Sequence, residues 1–239
     1  DIDLETAQIN KYKKLSSLVK PNSGDAMLEI GCGWGGFAEY VGKNYDVKLD
    51  CITISKKQYE YTKERIFKNG LNEKVNIEML DYRDVKKKYN SIASIEMIEA
   101  VGENYLESYF RKIKENLLEN GKAAIQAITI DDNLYERYKT KQDFIQKYIF
   151  PGGFLPCKKS LGKFADNNGL SLNECNSYGL DYSNTLKLWQ DEFLKKWEQI
   201  SKQGFDLNFK RMWNFYLSYC EAGFKSKNID LIQFSLQNK

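Results

Sequence analysis

The sequence predicts an α/β fold, a parallel, doubly wound sheet in a single domain, on three observations. Short apolar segments alternate with amphipathic ones at the spacing of repeated strand and helix. A glycine-rich loop, Gly31-Cys32-Gly33-Trp34-Gly35-Gly36, separates the first strand from the helix after it, where the chain end of a strand meets a helix N-terminus. The length of 239 residues, with 42% hydrophobic and 29% charged, suits one α/β unit with insertions and argues against a disordered or disulfide-scaffold chain.

The elements follow in order. Leu4, Ala7, Leu15 and Leu18 share one face of a helix that must stop before Pro21. After a turn at residues 21–25 comes a short buried strand, 26–30, then the glycine loop and a helix over 37–44. Residues 47–54 are rich in β-branched side chains and predict the second strand. Ser55 opens the next helix, which Asn69-Gly70 closes with a left-handed cap. Further strands are expected at 75–79, 91–98 and 122–129, with a helix over 105–118 between the last two. Residues 131–156 are aromatic and basic without strand periodicity, and two of the three prolines bound the turn 151–156, so this segment reads as a lid inserted after the fifth strand. Beyond it the pattern gives a helix at 160–168, a strand at 170–176, two long helices through Trp189, Trp197 and Trp213, and a final antiparallel edge strand at 229–236.

The chain contains no histidine. That removes Ser-His-Asp and Cys-His relays, HExxH zinc sites and any imidazole base. The five cysteines, Cys32, Cys51, Cys157, Cys175 and Cys220, are odd in number and form no CxxC pair, which predicts free thiols in a reducing cytoplasm and no cysteine metal site. A net charge of +3 is too small to imply nucleic acid and allows mild attraction to an anionic surface. No apolar run approaches the roughly 18 residues needed to span a bilayer. The first residue is Asp1, which suggests a fragment whose natural N-terminus lies upstream.

Four places carry candidate chemistry. The glycine loop lets backbone approach a ligand, but its spacing misfits the dinucleotide pattern GxGxxG. Glu29 stands two residues before its first glycine, an arrangement found in S-adenosylmethionine methyltransferases of this fold. At the second strand end no acidic residue is available for ribose; Thr53, Ile54, Ser55 and Gln58 stand there, and Ser55 with Gln58 also has the spacing of a helix capping box. Asp81-Tyr82 follows the third strand with a carboxylate and an aromatic face, or is simply a turn. Glu96 and Glu99, after Ile95, close the fourth strand beside the switch point of the sheet, which makes Glu99 the charged candidate for a reaction centre; the alternative is an exposed carboxylate at a helix start. Tyr135, Tyr138, Tyr148, Phe150 and Phe154 either wall an apolar channel or form a satellite core.

Together these motifs resemble the cyclopropane-fatty-acyl-phospholipid synthases and the related mycolic acid cyclopropane synthases and methyltransferases. The resemblance runs from about residue 4 to 236. It rests on Leu28 to Gly36, Ile52 to Ser55 with Gln58, Tyr148 to Gly153, Tyr178 to Tyr182 with Thr185-Leu186, and Arg211-Met212-Trp213 through Tyr219 to Phe224. It implies a class I, Rossmann-like methyltransferase fold with a seven-stranded, mostly parallel sheet. It also implies S-adenosylmethionine as cofactor, with Glu29, Gly31 and Gly33 at the methionine part, Thr53, Ile54 and Gln58 at the ribose, Asp81 and Tyr82 at the adenine, and Ile95 completing the set. Glu99 and Tyr182 match the glutamate and tyrosine that hold a bicarbonate base in the family. Ala100 and Ala127 stand where histidines are usual, and the upstream aromatic and cysteine segment falls before Asp1. The substrate implied is the double bond of an unsaturated phospholipid acyl chain, reached by transient docking on the inner membrane surface from the cytoplasm. There Lys139, Lys141, Lys147, Lys158 and Lys159 would meet anionic lipid. An alkene attacks a sulfonium methyl without prior deprotonation, so only the later carbocation requires a base; aromatic faces stabilise that cation. A branched methyl or methylene product, a small-molecule O- or N-methyltransferase, and a non-catalytic cofactor- or lipid-binding remnant remain alternatives, as does a homodimer.

Overall fold

The alternating segments fold into one sheet with helices on both faces. A computed structural model describes residues 2–239. The first half runs α1 (Leu4–Val19), β1 (Ala26–Ile30), α2 (Gly36–Asn44), β2 (Lys48–Thr53), α3 (Lys56–Lys68), β3 (Val75–Met79), β4 (Tyr89–Ile95), α4 (Leu106–Asn116) and β5 (Leu117–Ile130). The second half runs α5 (Tyr135–Lys139), α6 (Phe144–Tyr148), α7 (Lys158–Asn167), β6 (Leu170–Ser177), α8 (Gly179–Lys195), α9 (Trp197–Ser201), α10 (Leu207–Lys225) and β7 (Ile229–Asn238). Local chemistry sets several ends. Asp3 accepts the Thr6 N–H at 2.7 Å to start α1, and Ser55 accepts the Gln58 N–H at 3.4 Å to start α3. Gly70, with φ +67°, turns the chain after α3.

Seven strands lie in the order β3-β2-β1-β4-β5-β7-β6. The first five are mutually parallel, and β7 runs antiparallel to both β5 and β6. From β1 the chain moves outward to β2 and β3, then returns to β4 on the other side. The carboxyl ends of β1 and β4 therefore flank the switch point, where ligands bind in such sheets. Alternate strand residues enter separate cores. Leu28, Ile30, Ile92 and Ile125 pack with Phe110 and Leu161 on one face, and Met27, Leu49, Cys51 and Ala93 pack with Leu15, Phe37 and Ile66 on the other. Burial on both faces explains why these strands read as apolar runs. A smaller cluster, Leu186, Leu217, Phe224 and Leu231, joins α8 and α10 to β7.

Two expectations for the second half are corrected. The last strand is internal, and β6 is the edge. The partial alternation of β7 suggested an exposed face, yet Gln233 and Ser235 are buried, and their polar groups bond Gln126 and the backbone carbonyls of Lys11 and Asn173. The two long aromatic helices are three. At Lys196, with φ −92° and ψ 7°, α8 ends and the short α9 carrying Trp197 begins. The fourth strand also stops at Ile95, and Ile98 belongs to a 3₁₀ turn, Ile98–Ala100. Residues 131–156 hold α5 and α6.

Candidate active site

The site begins where β1 delivers the chain into the glycine loop. The N–H groups of Gly31 and Cys32 both donate to the Ile52 carbonyl, at 3.0 and 3.1 Å, locking the loop to the end of β2. Gly31 has φ +79°, and a Cβ there would lie 2.8 Å from Met97 Cγ, so this position needs glycine for both conformation and space. Gly33 faces open space, and its carbonyl accepts the Thr62 hydroxyl at 3.0 Å.

Above the loop lies a cleft of about 570 Å³. Of the nine residues expected at the cofactor, Gly31, Gly33, Thr53, Ile54, Gln58, Asp81, Tyr82 and Ile95 line it. The Thr53 hydroxyl donates to Gln58 Oε1 at 2.9 Å, which fixes a polar pair at the end of β2. Ser55 caps α3, while the Gln58 side chain turns to Thr53. The two readings of this segment, cap and cleft wall, coexist. Asp81 receives the Arg83 guanidinium on both oxygens, at 2.9 and 2.7 Å, and these bonds hold its carboxyl below the usual carboxylate range. Tyr82 meets Tyr109 edge to face, centroids 5.7 Å apart.

Glu29, the ninth, does not line the cleft. It is 2% exposed and accepts the Cys51 thiol at 3.3 Å on the α1 side of the sheet. Burial pushes its carboxyl up to about 7, against the opposing pull of Cys51 and Lys11.

The end of β4 carries two carboxylates with different surroundings. Glu99 stands half-buried in the 3₁₀ turn, not exposed at a helix start, and it does not itself line the cleft. One of its oxygens accepts the Ile128 N–H, and the other, Oε2, is buried with no partner. Burial pushes the Glu99 carboxyl up to about 8, and the Glu96 charge adds to the effect while the Ile128 bond opposes it. Tyr182 comes to the site from α8, where its hydroxyl donates to Glu96 Oε2 at 2.7 Å. Ala127 is buried in the main core, and its neighbour Gln126 reaches the site, donating to Glu96 Oε1 at 2.6 Å. Strand alternation decides this. Gln126 faces Glu96, while Ala127, the position that resembles the family's histidine, faces the main core. Glu96, Met97, Ala100 and Val101 also line the cleft. The role of Glu96 had one readable signal, a charged residue at the switch point, and Gln126 had none.

Among the five lid aromatics, Phe154 is buried, and Tyr135 and Tyr138 pack on it and on the main core. Tyr148 and Phe150 are exposed.

The glycine loop, cleft and buried carboxylate agree with a family model described as mycolic acid cyclopropane synthetase, which matches residues 1–234. The chain belongs to the mycolic acid cyclopropane synthetase family. It is 35% identical over 235 residues to the tuberculostearic acid methyltransferase UfaA1 of Mycobacterium tuberculosis, covering 98% of this chain and 55% of that protein. It is 34% identical over 234 residues to the cyclopropane-fatty-acyl-phospholipid synthase of Escherichia coli, covering 97% and 58%. The chain thus spans a little over half the length of these two relatives. A crystal structure of mycolic acid cyclopropane synthase CmaA1 complexed with SAH and CTAB superposes with a TM-score of 0.92 at 25% identity, covering 100% of this chain and 86% of that one. The class I methyltransferase fold expected of the family is thereby shown.

Proposed function

We propose that this chain forms the cofactor-binding and catalytic region of an S-adenosylmethionine-dependent methyltransferase that acts on the double bond of unsaturated fatty acyl chains, with phospholipids as substrate class. The observation that carries the reading is the meeting, at one switch point, of a glycine-floored cleft with the turn that holds Glu99: Met97 and Ala100 line the cleft, and Glu99, between them in the chain, has a buried Oε2 without a partner.

The cleft fits the cofactor. Open space over Gly33 admits a methionine tail, the Thr53–Gln58 pair faces a ribose, and Asp81 with Tyr82 offers a polar group and an aromatic face to adenine. When bound, the cofactor supplies an electrophilic methyl on a sulfonium. Glu29 acts beneath the loop as a positioning group. Glu99, kept protonated near neutrality by the burial that raises its carboxyl to about 8, would hold a small base such as bicarbonate at Oε2, and that base would take the proton lost after transfer. Tyr182 would reach such a base only by leaving Glu96. With no imidazole in the chain, proton handling falls to carboxyl and phenol groups. The names of the relatives include both a cyclopropane synthase and a fatty acid methyltransferase, so ring closure and a branched methyl or methylene product are two outcomes of the same cation.

Residues 131–156 serve in this reading as a lid over the acyl chain. Tyr148 and Phe150, both more than half exposed, stand beside Lys147 as a contact for the membrane surface. No helix among the described residues is long and apolar enough to cross a membrane. Docking through the lysines weakens as ionic strength rises.

The test is mass spectrometry of acyl chains after the protein is incubated with S-adenosylmethionine and vesicles of monounsaturated phospholipid. A gain of one CH₂ that survives mild hydrogenation identifies a ring; the same gain as a branched alkene identifies a methyl or methylene product. No gain alongside measurable cofactor binding overturns the phospholipid substrate.

A further inference from the structure

Glu96 is held in a backbone conformation that a glutamate adopts at a cost. Its φ is +51°. The other non-glycine residues with positive φ, Lys20, Glu174 and Lys227, lie at helix ends or in the irregularity of β6, whereas Glu96 stands at the switch point. The turn directs its side chain between two donors, Gln126 Nε2 at 2.6 Å and Tyr182 Oη at 2.7 Å, one on each oxygen. The Gln126 amide has a fixed orientation, because its Oε1 accepts from Gln233 Nε2 at 2.8 Å. Both Glu96 oxygens are therefore held by a donor. Both donors are neutral, so they orient the charge without cancelling it. Lys11 on α1 is close enough to feel that charge, but forms no ion pair with it among the described residues.

Glu96 also lines the cofactor cleft, where Gly31, Ile95 and Met97 are its neighbours. A fixed anion with apolar neighbours acts strongly on a nearby cation, since little water screens it.

We propose that Glu96 is the sulfonium-recognition residue of this cleft, a fixed carboxylate that makes it prefer the cationic S-adenosylmethionine to the neutral thioether S-adenosylhomocysteine. The inference rests on the cofactor reading above and not on the lipid substrate. Methyl transfer from such a cofactor would move one positive charge from sulfur to the acceptor: the C–S electron pair would stay on sulfur, an electron pair of the acceptor would form the new bond to the methyl carbon, and Glu96 would exchange no proton. Loss of the charge from sulfur weakens the hold on the spent cofactor, so the same carboxylate favours loading and release.

The experiment is calorimetric titration of the protein and its Glu96→Gln, Glu96→Asp and Tyr182→Phe variants with S-adenosylmethionine and with S-adenosylhomocysteine. Glu96→Gln keeps the shape and removes the charge, and is expected to weaken S-adenosylmethionine about tenfold and S-adenosylhomocysteine less than about threefold. Glu96→Asp and Tyr182→Phe keep the charge and retain the preference. Equal weakening of both ligands by Glu96→Gln overturns the proposal in favour of a structural role. So does loss of the preference in Tyr182→Phe, in which the Glu96 charge is retained. Binding of neither ligand to the unaltered protein overturns the cofactor reading as well. Selective binding without lipid methylation leaves this inference standing and removes only the substrate.

Discussion

The two halves of the molecule hold their functional groups by different means. From β1 to β4 the cleft is built by backbone and by neighbours close in sequence: glycine conformations, Thr53 with Gln58, Asp81 with Arg83. From β5 onward the contacts that matter join distant residues, as in Tyr182 with Glu96, Gln233 with Gln126, and Lys158 with Asp230. The first half shapes the cleft through geometry set by glycines, strand ends and the turns after them. The second half supplies the groups that orient charge, and it does so only once the whole sheet has closed.

The contrast is sharpest in the cores. Phe110→Ala empties a site in the large core and is expected to cost about 3–5 kcal/mol in urea denaturation. Phe224→Ala in the small cluster should cost closer to about 3 kcal/mol, because half-buried Tyr182 and Trp213 can collapse on the gap. Equal losses would erase the distinction between a rigid and a compliant half. Glycines give the next largest difference. Gly31→Ala meets both positive φ and Met97, and should destabilise by about 1–3 kcal/mol and weaken cofactor binding in calorimetry. Gly162→Ala inside α7 meets nothing within 4 Å and should stabilise by about 0.5–1 kcal/mol.

The buried carboxyls give a pH signature. Glu29 and Glu99 are raised from 4.5 to about 7 and about 8, chiefly by burial. Between those limits the unfolded chain has released protons that the folded one retains, so the contribution of these two groups to stability is complete below pH 4.5 and is lost as pH rises to about 8. Glu99→Gln should flatten the upper part of that slope by about a few degrees in melting temperature, with cofactor affinity little changed and turnover depressed. An unaltered slope would show that the Glu99 carboxyl is solvated. The smallest effect is expected at Lys158→Met, which breaks the contact with Asp230 that ties α7 to β7. That pair is partly exposed, and its loss should cost less than about 1 kcal/mol.

Legibility followed the same division. β1 and β3 fall at the bounds read from the sequence, because a short apolar run between turn residues has few other places to go. Eight of the nine residues expected at a cofactor line the cleft, since each sits at a strand end, in the turn after it or in the first turn of the following helix. The position of β7 was not, because buried Gln233 and Ser235 look like solvent-facing residues until their partners on β5, β6 and α1 are known. Gln126 was missed by one residue for a related reason, as a strand's facing alternates and only the sheet decides which parity meets the site.

The sequence by itself determined the alternation of strands and helices, the glycine loop and its cofactor class, and the exclusion of imidazole chemistry. All three depend on residue type and short spacing. Tertiary structure alone decided that the Glu99 Oε2 is buried without a partner, that Tyr182 bonds Glu96, and that Glu96 lines the cleft between two donors. Burial and hydrogen-bond partnership are properties of surfaces brought together across dozens of residues. They exist only when α8, β5 and β4 have met.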